Sequence, residues 1–164
     1  MKKIIGLLAL TIVFSCTNTP KTVFSKEVLS ETLMAVNGTQ IAFQDILKKY
    51  KGKPVVIKIW ASWCSDCIKA MPKIKELQAK NPNITYAFIS MDKTEDQWKT
   101  GIEKYHLVGD NYMANDGMNG EFGKAIDLDW IPRYLIIDKT GKIIVYRAIE
   151  SDFEQLNKTI QELN

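Results

Sequence analysis

Trp63-Cys64-Ser65-Asp66-Cys67 places two thiols three positions apart, directly after the apolar run Pro54-Val55-Val56-Ile57-Lys58-Ile59-Trp60-Ala61-Ser62. A Cys-x-x-Cys at the point where a buried strand gives way to a helix suits reversible thiol–disulfide chemistry. Cys64 falls at or just before the helix N-terminus. Unpaired backbone N–H groups and the positive end of the helix dipole stabilise a thiolate there. Cys67, on the first turn, faces back toward it. One sulfur can then attack a partner and the other resolve the mixed disulfide.

The elements that must hold this pair follow from the pattern around it. Pro54–Trp60 is apolar almost throughout, as a strand covered on both faces should be. Ser65–Lys80 carries Ile68, Met71, Ile74 and Leu77 near helical spacing. Asn83–Ser90 is a second central strand. Thr94 caps a helix running to Tyr105, with Gln97 placed for a capping box. Asn119–Ile126 is a short helix. Arg133–Asp138 and Lys142–Arg147 are strands joined through Lys139-Thr140-Gly141, and Asp152–Leu163 is a terminal helix. Upstream, Thr32–Val36 and Thr39–Phe43 flank Asn37-Gly38, a strong hairpin signal, and Asp45–Lys49 is a short helix. Alternating strands and helices followed by a hairpin and a helix predict an α/β fold: three layers, α/β/α, around a mixed sheet with an N-terminal β-hairpin extension.

The N-terminus points to a compartment. Met1-Lys2-Lys3 is basic, Ile4–Phe14 is apolar, and Ser15-Cys16 follows, which is the three-part pattern of a secretory signal and too short for a membrane span. Residues 1–15 are expected to be a signal peptide and 16–30 a polar tether. Residues 31–164 form one domain, a length that can bury a real core. Removal of residues 1–15 leaves 20 basic against 19 acidic side chains, a formal +1. No basic excess argues for nucleic acid. Setting Cys16 aside leaves one isolated pair, too few for a disulfide-stapled scaffold. Two cysteines and the single histidine, His106, fall short of a structural zinc site. No metal or cofactor is expected.

These residues together resemble the thioredoxin superfamily, in its secreted TlpA/ResA-like branch. The resemblance runs from about residue 31 to 164. It is carried by Val55–Cys64, the Cys-x-x-Cys, Pro72, Trp130-Ile131-Pro132, Gly52-Lys53-Pro54 and Asp138-Lys139-Thr140-Gly141-Lys142. It implies a thioredoxin fold and a disulfide reductase acting on exported proteins, with Cys64 as nucleophile and Cys67 as resolving thiol. It also implies a cis peptide bond before Pro132, exposing the Ile131 backbone to an extended substrate, and Pro72 kinking the helix of the pair. Val13-Phe14-Ser15-Cys16 resembles a bacterial lipobox. This implies lipidation of Cys16 and a location on the extracytoplasmic or periplasmic face of the cell envelope, anchored to the membrane. The partners implied are protein disulfides and a membrane-embedded electron donor, with the chain acting as a monomer.

Two positions depart from the family. Lys58 stands where a buried Asp or Asn is common. An isolated lysine cannot stay charged in a core, so it either snorkels to the sheet edge or has a depressed pKa and exchanges a proton with Cys67. Asp66 stands in the dipeptide that is commonly Gly-Pro. Its charge opposes the thiolate and makes the pair more reducing, unless it points into solvent and is screened. Trp63 and Trp130 are expected to rim the site, and Arg133 either to steer acidic or polar substrates or to point away. Asp92, Asp110, Asp116, Asp127 and Asp129 read as solvating or capping residues, His106 as surface or core filler and Trp98 as core. The alternatives are a peroxiredoxin-like thiol peroxidase, although Ala61-Ser62-Trp63 lacks that chemistry's Pro and Thr, and a non-catalytic binding lipoprotein.

Overall fold

The structure is a computed structural model, and it describes residues 21–163. The expected signal peptide, residues 1–15, and Cys16 lie outside them. A short helix α1 (Lys26–Ser30) leads into the hairpin β1 (Thr32–Ala35) and β2 (Gln40–Ala42), then α2 (Phe43–Lys49). The core follows as β3 (Val55–Trp60), α3 (Ser65–Lys69), α4 (Met71–Lys80), β4 (Thr85–Ser90), α5 (Glu95–Tyr105), β5 (Asp110–Ala114) and α6 (Glu121–Ala125). The chain ends with β6 (Arg133–Ile137), β7 (Ile143–Ala148), a 3₁₀ turn over Glu150–Asp152, and α7 (Phe153–Leu163).

The seven strands form one sheet in the order β2-β1-β5-β4-β3-β6-β7. β3, β4 and β5 are parallel neighbours, while β6 runs antiparallel to β3, and β1 antiparallel to β5. Every residue of β3 and β6 is buried, and all of β4 except Thr85. Both faces of the sheet centre are therefore covered, in agreement with the near-continuous apolar runs of these segments.

Four features differ from the sequence expectation. β5 is a strand although Asp110 and Asn111 are poor strand formers; pairing with β4 on one side and β1 on the other overrides propensity. The hairpin loop has three residues, Val36-Asn37-Gly38. Gly38 N–H donates to Ala35 C=O at 2.8 Å, Ala35 N–H donates to Thr39 C=O at 2.9 Å, and only Gly38 is left-handed, at φ 83°. This is a type I turn closed by a glycine bulge. The expected tether is shorter than residues 16–30. Ile143 N–H donates to Thr22 C=O at 2.9 Å, Phe24 stacks edge-on against Phe43, and Val28 is buried. Lys58 does not snorkel: it is 1% exposed on a strand with a neighbour on each edge.

The break expected at Pro72 is present. α3 ends at Ala70, whose N–H turns to Asp66 and Ile68 C=O, and α4 begins with Pro72 in its first turn. α5 is capped by the Thr94 hydroxyl, which accepts from Gln97 N–H at 3.3 Å, and it closes at His106 in a left-handed conformation. It carries Trp98, fully buried, and meets the segment before Cys64 at Gly101. A Cβ at Gly101 would lie 2.9 Å from both Ser62 Cβ and the Trp60 ring. Gly101→Ala is therefore expected to lower stability by about 1–2 kcal/mol, overpacking outweighing the gain in helix propensity. Urea denaturation measures this, and a variant as stable as the parent would show that α5 can move away from Trp60.

Candidate functional site: a dithiol pair on the end of the central strand

β3 ends at Trp60, and the chain turns through Ala61-Ser62-Trp63 into α3. Cys64 N–H closes the turn on Ala61 C=O at 3.2 Å. Cys64 is the N-cap of α3, and its Sγ accepts from Cys67 N–H at 3.1 Å. Cys64 and Cys67 are disulfide-bonded, with Cα atoms 5.2 Å apart. Both are buried, but unequally: Cys64 is 6% exposed and Cys67 is sealed at 0%. When the bond is reduced, the Cys67 N–H and the helix end both favour the Cys64 thiolate.

Ile131–Pro132 is a cis peptide, as expected, and Ile131 C=O lies 3.5 Å from Cys64 Sγ. In the disulfide this is a contact; a Cys64 thiol would have a hydrogen to donate there. Trp63, Cys64, Ser65, Asp66, Met118, Asp129, Trp130 and Ile131 line an open groove of about 380 Å³. Trp63 and Trp130 are 54% and 55% exposed, so they form an apolar rim beside the disulfide. Asp66 pairs with Lys69 at 3.4 Å on the outer side of α3.

Lys58 extends beneath the pair. Its Nζ donates to Cys67 C=O at 3.2 Å and lies 3.3 Å from Met71 Sδ and 5.8 Å from the centre of the Tyr134 ring. Burial lowers its pKa to about 7, because one carbonyl, a thioether and a ring face repay little of the ammonium's lost hydration. Arg133 turns inward: its guanidinium is paired with Asp129 and donates to Arg147 C=O at 3.4 Å. Asp129 also pairs with Arg147. These contacts tie the segment before Pro132 to β7 and take Arg133 away from any role in steering substrates.

One group was missed in the sequence. Asp92, read there as a solvated loop residue, is 1% exposed and hydrogen-bonded to Ser62 and Ser90. Its only signal was a serine two positions earlier, at the end of a central strand. His106, Asp110, Asp116 and Asp127 take no part in the groove. Among the described residues no cluster of His, Cys, Asp or Glu could hold a metal ion.

A sheet centred on parallel strands, with a Cys-x-x-Cys at the end of β3 facing a cis-proline, defines a thioredoxin-like redox site. The chain belongs to the Redoxin family, whose model matches residues 22–160. It is similar to the thiol-disulfide oxidoreductase ResA of Bacillus cereus (strain ATCC 10987 / NRS 248), with 29% identity over 119 residues, 71% of this chain and 67% of that protein. It is also similar to the soluble secreted antigen MPT53 of Mycobacterium tuberculosis (strain ATCC 25618 / H37Rv), with 24% identity over 134 residues, 82% and 73% of the two chains. A solved thiol-disulfide oxidoreductase from Bacteroides fragilis shares the fold at TM-score 0.66 and 24% identity, over 81% of this chain and 96% of that one. MTB DsbF does so at TM-score 0.66 and 21% identity, over 87% and 100%.

The buried lysine has a measurable signature. Its folded pKa of about 7 lies below the 10.5 of a solvated lysine, so between these values the unfolded chain binds more protons and stability rises with pH. Below about pH 7 both states are protonated and the full burial cost remains, on the order of 5 kcal/mol as an upper bound. Lys58→Met keeps the length and removes the charge. It is expected to be more stable than the parent at mildly acidic pH, with an advantage that shrinks as pH rises toward 10. Denaturation of both oxidised proteins across this range checks it; parallel profiles would show that Lys58 stays charged.

Proposed function

We propose that the protein is an extracytoplasmic thiol–disulfide oxidoreductase that reduces disulfides of exported proteins. The observation that carries this reading is the asymmetric pair: Cys64 at the edge of an open groove, bonded to a sealed Cys67 on the next turn. The less buried sulfur, at the groove, suits attack and the sealed one suits resolution. The names of its relatives support the same class: ResA is called a thiol-disulfide oxidoreductase and MPT53 a secreted antigen.

The cycle begins with the reduced pair. The Cys64 thiolate attacks a substrate disulfide; that S–S bond breaks, a Cys64–substrate bond forms, and one substrate thiolate leaves and takes a proton. Cys67 then gives its proton to the neutral Lys58 amine and attacks Cys64 Sγ. The Cys64–Cys67 bond forms and the second substrate thiolate departs. Two electrons have passed to the substrate, and a membrane-embedded dithiol donor restores the pair. The Ile131 backbone beside cis-Pro132 receives the substrate as an extended strand, and Trp63 covers the residue next to its cysteine. Asp66 adds a modest bias toward the reducing direction. The bonded partner of Cys64 one turn away suits this dithiol cycle and not a lone peroxidatic thiol.

Catalysis of insulin reduction by dithiothreitol tests the activity. Cys64→Ser is expected to abolish it, and Cys67→Ser to accumulate mixed disulfides with substrates. Faster iodoacetamide labelling of Cys67 than of Cys64 in the reduced protein would reverse the two roles.

The domain is held at the membrane through a lipidated Cys16, and it works there as a monomer. One acyl chain binds membranes only marginally, so stable anchoring takes the multi-chain modification of bacterial lipoproteins. Cys16→Ser is expected to release the protein or leave its signal unprocessed. Mass spectrometry finding a mature N-terminus beyond Cys16 with no acyl mass would remove the anchor from this account.

A further inference from the structure

Asp92 lies two residues past the end of β4 and is buried. Its carboxylate accepts from Ser62 N–H at 3.0 and 3.1 Å, from the Ser62 hydroxyl at 2.8 Å and from the Ser90 hydroxyl at 2.7 Å. Its own N–H donates to Ser90 Oγ at 2.9 Å, which leaves the hydroxyl proton of Ser90 aimed at the carboxylate. Every contact is donated to it, and every donor is neutral. A carboxylate acting only as an acceptor satisfies all of these contacts.

The other charges around the disulfide are matched. Asp66 faces Lys69 on α3, and Asp129 is shared by Arg133 and Arg147 on β6 and β7. Lys58 sits on β3 beneath Cys67. Asp92 has no ion-pair partner among the described residues. A carboxylate held in the interior by neutral donors alone has no cation to offset its charge. Its hydrogen bonds fall on Ser62, two residues before Cys64, in the turn that leads into the pair.

We propose that Asp92 is a positioning residue of the redox site: it locks the Ala61-Ser62-Trp63 turn and holds a negative charge that disfavours the Cys64 thiolate, keeping the pair reducing. The charge works against the helix end and the Cys67 N–H, which favour that thiolate. A dithiol form with a less stable thiolate is a better electron donor. The proposal rests on Cys64 being the nucleophile.

The test is the pH profile of iodoacetamide alkylation at Cys64 in the reduced protein, with equilibration of the disulfide against glutathione. Asp92→Asn keeps the shape and removes the charge, and the serine hydroxyls can reorient to suit the amide. Its alkylation profile is expected to move about one unit to lower pH. Below the midpoint the rate should rise about threefold, since a tenfold gain in thiolate is partly offset by lower nucleophilicity. The glutathione equilibrium should shift toward the dithiol. Ser62→Ala removes a donor and leaves the charge less neutralised, so its profile should move to higher pH. Asp66→Asn should shift in the same sense as Asp92→Asn but by less, because Lys69 already offsets that carboxylate.

An Asp92→Asn profile and equilibrium that are unchanged, or moved the other way, overturn the proposal whatever the variant's Tm. If Asp92→Asn does not fold, Ser62→Ala decides alone, and an unchanged or lowered profile is the overturning result. Prior labelling of Cys67 in the parent protein overturns the nucleophile assignment instead, and the two failures are distinguishable.

Discussion

Desolvation at the centre of the sheet governs this molecule. β3 is hydrogen-bonded on both edges and buried at every residue, so whatever it carries must be apolar or have its polar groups answered inside the protein. The redox pair sits at its end because that is where the backbone leaves the sheet and must start a helix. The first turn of that helix supplies the free N–H groups that a sulfur anion needs. The same burial seals Cys67 and leaves Cys64 at the groove, which makes two chemically identical side chains unequal.

Charge near the pair is arranged by the same constraint. Two carboxylates close to the groove, Asp66 and Asp129, are matched by Lys69 and by Arg133 with Arg147. Two groups behind it are not: Lys58, whose pKa burial lowers to about 7, and Asp92, held by neutral donors. Salt-screened pairs at a surface change little. Charges in the interior are screened less than these, which is why the proposed roles in the chemistry of the pair fall to the two unmatched groups.

The groove is apolar for a related reason. Trp63 precedes Cys64 and Trp130 precedes Ile131, so each is carried to the surface by a backbone segment whose neighbours are pinned at the disulfide. Half of each indole remains exposed. The Asp129 contacts with Arg133 and Arg147 brace the cis-proline segment against β7, giving the rim a rigid base.

Much of this was legible in the chain itself. The Cys-x-x-Cys, the apolar runs of β3, β4 and β6, the cap at Thr94 and the break at Pro72 depend on local chemistry and spacing, which a sequence displays directly. β5 was not legible, because Asp110 and Asn111 enter a strand only through partners on both sides. Nor was α1, whose Val28 finds its burial against the rest of the domain. Lys58 left two outcomes open, and the choice turned on whether its strand had a free edge, which is a fact of topology. Asp92 and Arg133 were misread or undecided for the same reason. A charged residue looks like surface until distant segments close over it, here Ser62 from the turn after β3 for Asp92, and Arg147 from the edge strand β7 for Arg133. The sequence by itself determined the reacting sulfurs and the strand and helix that present them, because these lie within one contiguous stretch of chain. Only the tertiary structure decided which charges behind those sulfurs are buried, because burial is made by residues far apart in sequence.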